Sequence, residues 1–330
     1  MSTDDTTTET STDTETSCGA SDAANADATD TATDADEGTS ACGGSTSSSG
    51  SRCGSKKAAT DERVGSTVAD FDADPGRLVA VGLGPGQPEG MTQRARGALL
   101  EAEHVVGYTT YVDLLPEEVT ESAEELYDTP MCGEVSRTEE AVDRALAGHD
   151  VAIVGSGDPN VYALAGLTLE ILESKGASAE AVDFEVVPGV PAAQSCGARL
   201  GAPLVNDTVS ISLSDHLTSM ATIESRLHAV ASEGFTVAIY NPWSRKRREN
   251  FRTCCEILLE HRAPETPVGV VHGAGRDDER VEVVELRELE ALGETELVDM
   301  TTTIIVGNEE TYVWDGRMVT PRGYESKYDY

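Results

Sequence analysis

Apolar residues in this 330-residue chain come in short bursts separated by longer mixed stretches. From Arg77 onward, runs such as Leu78-Val-Ala-Val-Gly82 are too short for helices and lack polar alternation, as in strands buried on both faces. Between them, apolar positions recur three and four residues apart, as at Met91, Ala95, Leu99 and Ala102, which predicts helices. The alternation predicts strands at 78–82, 105–106, 151–154 and 184–187, with helices near 91–102, 138–147 and 161–174, and hence a largely parallel α/β sheet. Ser136, three residues before Glu139, reads as a capping box opening the second of these helices. After Pro188-Gly189 the register starts afresh with a small-residue helix over 192–200, and Gly201-Ala202-Pro203 reads as a turn or linker. Further strands are expected at 209–213, 236–240, 268–271, 281–284 and 303–306, with helices around 223–231 and 250–260. Asp315-Gly316, between strands near Tyr312 and Met318, is a hairpin signal. No repeat of fixed period is present.

Composition divides the chain further. Residues 1–75 are Ser, Thr, Asp, Ala and Gly with almost no large apolar side chains, so they cannot offset the entropy of ordering and are expected to be a disordered acidic tail. The ordered part then comprises an N-terminal α/β domain over 76–188 and a C-terminal α/β domain over 189–330. No apolar stretch approaches the roughly 20 residues of a membrane-spanning helix, and Met1 is followed by Ser, Thr, Asp and Glu rather than by a signal or transit peptide. A cytoplasmic, soluble protein without a membrane partner is expected.

Sixty acidic against 24 basic residues give a formal net charge of −36, and residues 61–330 alone hold 49 against 21. Such a surface repels nucleic acid and anionic lipid. A carboxylate coat poor in Lys also suits concentrated salt, where screening suppresses self-repulsion, so a halophilic source is expected. The seven cysteines form an odd set without a CxxC pair, which argues against a disulfide framework, and no metal site is assigned.

Candidate chemistry sits in loops that follow strands. Gly82-Leu-Gly-Pro-Gly86 allows a sharp turn and close approach of a ligand to bare backbone. It is neither a Rossmann fingerprint, since position 87 is Gln, nor a Walker loop, since no Gly-Lys-Ser/Thr follows. Gly155-Ser-Gly-Asp158-Pro159 offers glycine amides and a carboxylate at a strand's carboxyl end, where open α/β sheets bind ligands; alternatively, Asp158 caps the next helix. Asn241-Pro-Trp-Ser-Arg245-Lys246-Arg247-Arg248 concentrates four cations in a chain poor in them. It reads either as a solvated helix start paired with Glu residues or as a pocket for a polycarboxylate. The loops at His272-Gly-Ala-Gly-Arg276 and Thr301-Thr-Thr303 add two more glycine- or hydroxyl-bearing turns. The six histidines show no metal-ligand spacing, and no Ser-His-Asp or Cys-His arrangement stands out.

In order and spacing these loops resemble the tetrapyrrole methylase family, from Arg77 to about Tyr324. The segments that carry the resemblance are Val81-Gly-Leu-Gly-Pro-Gly86, Val106-Gly-Tyr-Thr-Thr-Tyr-Val-Asp-Leu114, Ser156-Gly-Asp-Pro159, Val187-Pro-Gly-Val-Pro-Ala-Ala193, Ile211-Ser-Leu-Ser-Asp215, Ile239-Tyr-Asn-Pro242 and Asp299-Met-Thr-Thr-Thr-Ile-Ile-Val-Gly-Asn308. Within the family, the Val-Gly-Tyr, Ser-Leu-Ser-Asp and Tyr-Asn-Pro blocks and Gly316-Arg-Met-Val-Thr-Pro-Arg-Gly-Tyr324 look like the enzymes that methylate carbon 17 of precorrin-3B or cobalt-factor III. The resemblance implies two α/β domains, a homodimer, and S-adenosyl-L-methionine held in the cleft between the domains. It implies cofactor contacts at Pro85, Ser156, Gly157, Asp158, Val161, Pro191, Ala192, Asn241 and Ala274, with Thr302 and Thr303 closing the adenine side. It further implies a tetrapyrrole substrate, methylation with ring contraction, and a place in cobalamin biosynthesis.

The chemistry such a site needs is mainly positioning, because a sulfonium methyl is already activated and the ring carbon is electron-rich. Arg245, Lys246, Arg247 and Arg248 are expected to serve the acidic arms of the substrate, with Tyr108, Tyr111, Asp215 and His216 lining the trough. No residue announces itself as the base for ring contraction. The rival readings are a corrin-pathway methylase for another carbon, a family member that methylates protein or ribosomal RNA, and a module that binds the cofactor without turnover. The net charge argues against RNA.

Overall fold

In a computed structural model, residues 66–244 and 247–329 are described. Arg245 and Lys246, and most of the acidic tail, lie outside those residues. The expectation for the tail's last ten residues is corrected: Val68–Asp70 forms a 3-10 turn, the Val68 N–H donates to the Lys175 carbonyl, and the Ser66 hydroxyl donates to Asp143. Phe71 also packs on the core of the first half, so one apolar side chain and these polar ties order the short segment.

The first sheet is built from β1 (Leu78–Gly82), β2 (His104–Tyr108), β3 (Glu125–Thr129), β4 (Val151–Gly155) and β5 (Phe184–Val187), in the spatial order β3-β2-β4-β1-β5, all parallel. Every residue of β1 is buried because helices cover both faces, which is why its sequence runs apolar without alternation. On one face, α1 (Gln93–Glu101) and α3 (Glu117–Ser122) bury Ala95, Ala98, Leu99 and Val119 against Val79, Val81, Ala152 and Val154; the four-residue α2 (Thr109–Val112) adjoins them. On the other, α4 (Glu134–Leu146) and α5 (Ala165–Ser174) bury Val142, Leu146, Ile171 and Leu172 against Leu78, Ala80 and Ile153. A fully buried Leu of this kind contributes about 1.5–3 kcal/mol.

Three local expectations change here. Helix α4 begins two residues before Ser136, whose hydroxyl donates back to the Gly133 carbonyl instead of capping. Helix α5 begins at Ala165, so residues 161–164 belong to the loop and Asp158 does not cap it. The edge strand β3 and helix α3 carry no apolar run, and pairing to β2, not local pattern, makes β3 a strand.

The second half begins with α6 (Ala192–Leu200), followed by the two-residue strand β6 (Gly201–Ala202), β7 (Thr208–Ser212), α7 (Met220–Ala231), β8 (Thr236–Tyr240), α8 (Arg248–His261), β9 (Pro267–His272), β10 (Arg280–Glu285), the short α9 (Leu289–Leu292) and β11 (Thr302–Val306). Its sheet runs β10-β9-β11-β8-β7, and only β7 and β8 are parallel. This half is thus mainly antiparallel, unlike the first. Strand β10 returns beside β9 after a tight loop, and a connection so short permits only an antiparallel pair.

Helices α7, α8 and α9 cover one face of this sheet over Val237, Ile239, Val270 and Ile304. Helix α6 packs on the other face, where Ala193, Cys196 and Leu200 meet Ala238, Val271, Ile305 and Met318. The hairpin β12 (Tyr312–Trp314) and β13 (Arg317–Val319) turns at Asp315 and Gly316, whose φ of 48° and 72° fit the predicted Asp-Gly turn. Strand β13 pairs in parallel with β6, so Gly201-Ala202 is a strand and not only a linker.

Candidate active site

Strands β1 and β4 are neighbours, yet the chain leaves them in opposite directions along the sheet, toward β2 and toward β5. Such a switch point places two loops at the carboxyl edge where ligands bind. Here the loops lock together: the Gly84 N–H donates to the Gly157 carbonyl at 3.1 Å, and the Gly157 N–H donates back to the Gly84 carbonyl at 2.8 Å. The turn after β5 closes on the same point. A Cβ at Gly189 would lie 2.0 Å from the Gly157 oxygen, and one at Gly82 would lie 2.5 Å from the Gly189 nitrogen. Glycine is therefore required by backbone crossing.

Asp158 braces this junction. Its Oδ2 accepts from the Gly189 N–H at 3.2 Å and its Oδ1 from the Asn160 N–H at 2.8 Å, with the side chain 9% exposed. Pro191 is the N-cap of α6, and the Ala193 N–H donates to the Tyr240 Oη at 2.9 Å, tying α6 to the end of β8. Tyr162, at φ 52°, sits 5.1 Å from the Tyr240 ring and donates its hydroxyl to the Ser210 carbonyl.

Facing these loops is the turn after β9. Its Gly273 and Gly275 have φ of 59° and 73°, and the Gly275 N–H donates to Glu279, which also accepts from Arg199. Buried His272 sits at its root, with Nε2 3.2 Å from Asp278 and Nδ1 3.2 Å from Asp299 and 3.3 Å from the Thr301 hydroxyl. One imidazole thus joins two of the loops. The Arg276 side chain runs across Gly86, and Gly275 packs on Pro85, so the two halves meet through glycine and proline.

Between the loops lies a cavity of about 340 Å³, including its open mouth, lined by Gly84, Pro85, Ser156, Gly157, Ala192, Ser195, Cys196, Gly273, Ala274, Arg276, Thr301 and Thr303. Six of the expected cofactor residues line it: Pro85, Ser156, Gly157, Ala192, Ala274 and Thr303. Asp158 and Pro191 stand one step behind, holding the lining backbone. Val161, Asn241 and Thr302 are not in the wall. Thr302 turns its hydroxyl to the Leu297 carbonyl, as strand alternation requires when Thr301 and Thr303 face the cavity. Asn241, at φ 48°, donates to the Ser212 hydroxyl. Sequence reasoning missed Ser195 and Cys196, one turn into α6, where a helix period from Ala192 would have found them. Burial pushes the Cys196 thiol up to about 11, against a hydrogen bond with Thr303 that lowers it, so the thiol stays neutral.

Beside the cavity, Tyr108 and Tyr111 meet edge to face at 5.1 Å. Burial raises the Tyr111 phenol, with the charges of Arg276 and Arg137 opposing. Arg137 is 4% exposed, stacks 6.0 Å from the Tyr108 ring, and its Nε finds no hydrogen-bond partner among the described residues. Nothing in the sequence singles it out, because α4 carries it among several other charged residues, Glu140, Asp143 and Arg144, that are buried as well. Asp215 and His216 are exposed after β7. Arg247 is half-buried, its guanidinium lowered by burial and favoured by Asp215, and it donates to Ser244. Arg248 instead stacks 5.4 Å from Trp243 and lies 4.0 Å from Glu294.

The lining offers carbonyl acceptors together with amide and hydroxyl donors on small residues, and one guanidinium, that of Arg276. It fits a polar nucleoside resting on bare backbone, and Pro85 lacks the amide that a pyrophosphate cradle would use.

The profile of the family described as Tetrapyrrole (Corrin/Porphyrin) Methylases matches residues 77–290. The chain is 45% identical over 254 residues to the cobalt-factor III methyltransferase of Priestia megaterium, covering 77% of this chain but only 46% of that protein. It is 41% identical over 247 residues to the probable cobalt-factor III C(17)-methyltransferase of Salmonella typhimurium, covering 75% of this chain and 99% of that one. The crystal structure of the methyltransferase CobJ superposes with a TM-score of 0.67 at 34% identity, over 74% of this chain and 100% of that chain. With its profile, its near full-length relatives and its fold in agreement, the chain belongs to the tetrapyrrole methylase family.

Proposed function

We propose that this chain is an S-adenosyl-L-methionine-dependent methyltransferase that methylates carbon 17 of cobalt-factor III or precorrin-3B, with ring contraction, in cobalamin biosynthesis. The observation that carries the reading is the convergence of four glycine- or hydroxyl-bearing turns and the first turn of α6, from both halves, on one cavity. When bound, the cofactor supplies a methyl group on an activated sulfonium. The chain's own work is to hold and orient. Pro85, Ser156, Gly157, Ala192, Ala274 and Thr303 form the cofactor wall and Asp158 and Pro191 fix its backbone, with Val161, Asn241 and Thr302 assigned to the same cofactor although they stand outside the wall. Positioning of this kind supplies most of the rate in a transfer between pre-activated partners.

Tyr108, Tyr111, Asp215 and His216 line the substrate trough in this reading, and Arg245, Lys246, Arg247 and Arg248 meet the acidic arms of the macrocycle, joined by Arg137 and Arg276. The domain boundary falls at residues 188–189. A homodimer fits the exposed apolar strand β12, where Tyr312, Val313 and Trp314 are 50, 48 and 63% exposed, and light scattering would measure it. Among the described residues no helix is long and apolar enough to cross a membrane; a cytoplasmic site of action belongs to this reading as an assignment of its own. A halophilic setting follows from the net charge of −36, and activity that rises with salt to molar concentrations would bear it out.

The test is to incubate the purified chain with isotopically labelled cofactor and each corrin precursor, then locate the label by mass and carbon-13 NMR. Label at carbon 17 supports the reading. Label at another carbon makes it a different methylase of the same pathway, and binding without turnover makes it a sensing module. An unaltered substrate Michaelis constant in the double variant R245A/R248A would remove those two arginines from the substrate site.

A further inference from the structure

We infer that His228, Glu260 and His261 form a binding site for one divalent transition-metal ion of the Zn²⁺ class, remote from the cofactor cavity. Residues 228 and 261 are 33 positions apart, so no ligand spacing betrays them. Packing of α7 against α8 brings their rings together, with His228 Nδ1 2.9 Å from His261 Nε2 and the ring planes at 84°. The Glu260 Oε2 lies 3.8 Å from the same His228 nitrogen, and one donor atom from each residue falls within 4.8 Å of the others.

The spacing suits a metal. A tetrahedral Zn²⁺ with Zn–N bonds of about 2.0–2.1 Å separates two imidazole nitrogens by roughly 3.3 Å. The exposed rings need to open by only a few tenths of an ångström from 2.9 Å, and the exposed Glu260 side chain, 3.8 Å from His228 and within 4.8 Å of both rings, to turn inward. Two imidazoles and one carboxylate leave a fourth position for water. Nitrogen donors select Zn²⁺, Ni²⁺ or Cu²⁺ over Mg²⁺ and Ca²⁺, which prefer all-oxygen sets.

The surroundings are also favourable. His261 is the last residue of α8 and His228 lies in the last turn of α7, so the negative ends of two helices meet at the cluster. The following residue, Arg262, is a local cation, but its guanidinium is spent on backbone carbonyls: it donates to Phe235 at 2.6 Å, to Ala231 and Val230 at 3.4 Å, and to Gly307. Those bonds fix the ends of α7 and α8 relative to each other, so much of the ordering is complete before a metal arrives. None of the three ligands lines the cofactor cavity, and the ion would act as a staple between two helices of the second half.

The test is isothermal titration of ZnCl₂, and separately of MgCl₂, into the chelator-stripped full chain, with thermal denaturation alongside. Expected are one saturable Zn²⁺ equivalent, no Mg²⁺ uptake, and a thermal midpoint raised by Zn²⁺. H228A and H261A should abolish that equivalent and the midpoint shift, and E260Q should weaken binding at least tenfold, while methyl transfer by H228A stays at the parent rate. H228Q, which keeps the polarity and size of the side chain, must behave as H228A does. Absence of saturable uptake, equal uptake of Mg²⁺, or full Zn²⁺ uptake retained in both histidine variants, as thiol binding would give, overturns the site.

Discussion

Substituting Ala for Gly189 adds one methyl group at the place where three cavity loops cross. The new Cβ would lie 2.0 Å from the Gly157 carbonyl oxygen and 2.8 Å from the Gly82 carbonyl, whereas real Cβ atoms essentially never come within 3.0 Å of a neighbour. The shortfall of 1.0 Å is against backbone on every side, so no side chain can swing away and a loop must move by about that distance. Overpacking of this kind costs about 1–3 kcal/mol, which for a chain this size lowers the thermal midpoint by roughly 2–4 °C per kcal/mol. The loop displaced carries Ser156 and Gly157, both in the cavity wall, and also breaks the bond from the Gly189 N–H to Asp158. Misplacing a positioning group by about 1 Å costs on the order of 10²-fold in rate, so turnover should fall far more than stability. The control is Gly97→Ala in α1, where an added Cβ meets nothing within 4 Å; it should stabilise the chain by about 0.5–1 kcal/mol and leave activity intact. Calorimetry and cofactor titration on the pair decide the matter. G189A with parental cofactor affinity and thermal midpoint would refute the crossing-loop account of the cavity.

Asp158→Asn keeps the shape but loses one charge-assisted acceptor, so it should cost about 1–2 kcal/mol in urea unfolding and weaken cofactor binding several-fold; an unchanged affinity would mean the brace is idle. Lys175 and Asp143 form a buried pair, 2.9 Å apart and 5 and 3% exposed, so Lys175→Met strands a buried carboxylate and should cost about 3–5 kcal/mol by denaturant titration. Burial raises the thiols of Cys196 and Cys254 to about 11 and 12, and that of Cys255 as well. The folded chain therefore keeps protons that the unfolded chain releases above the ordinary thiol value of 9.0, so this contribution is whole below that pH and declines as pH rises toward the folded values. Urea midpoints compared at about pH 8 and about pH 10.5 should show the decline, and a C254A/C255A variant should flatten it.

Several features are legible in the chain because they are local. The continuous apolar runs of β1, β4 and β8 announce buried strands, and Asp315-Gly316 announces its hairpin through the positive φ that both positions adopt. Each glycine-bearing loop is visible where a strand ends. Strand β3, with its Glu-Leu-Tyr-Asp-Thr sequence, is not, since an edge strand exposed along most of its length needs no apolar signature. Strand β6 is hidden for a related reason: two residues hold a strand geometry only because β13 supplies the partner. The brace at Asp158 resembles a helix cap from sequence because an acidic residue before Pro is good at either task, and the choice rests on where Gly189 arrives.

By itself the sequence determined most of the elements, the order in which those occur, and the small residues on which a ligand could rest, since these follow from periodicity and from the conformations a residue tolerates. Tertiary structure decided the rest. Which glycines face a cavity, that Thr303 enters it while Thr302 turns away, that Arg137 is buried beside Tyr108, and that His228 meets His261 all depend on contacts between distant segments. Such contacts form through packing of whole sheets and helices, and no short stretch of chain encodes the distance between its side chains and those of another.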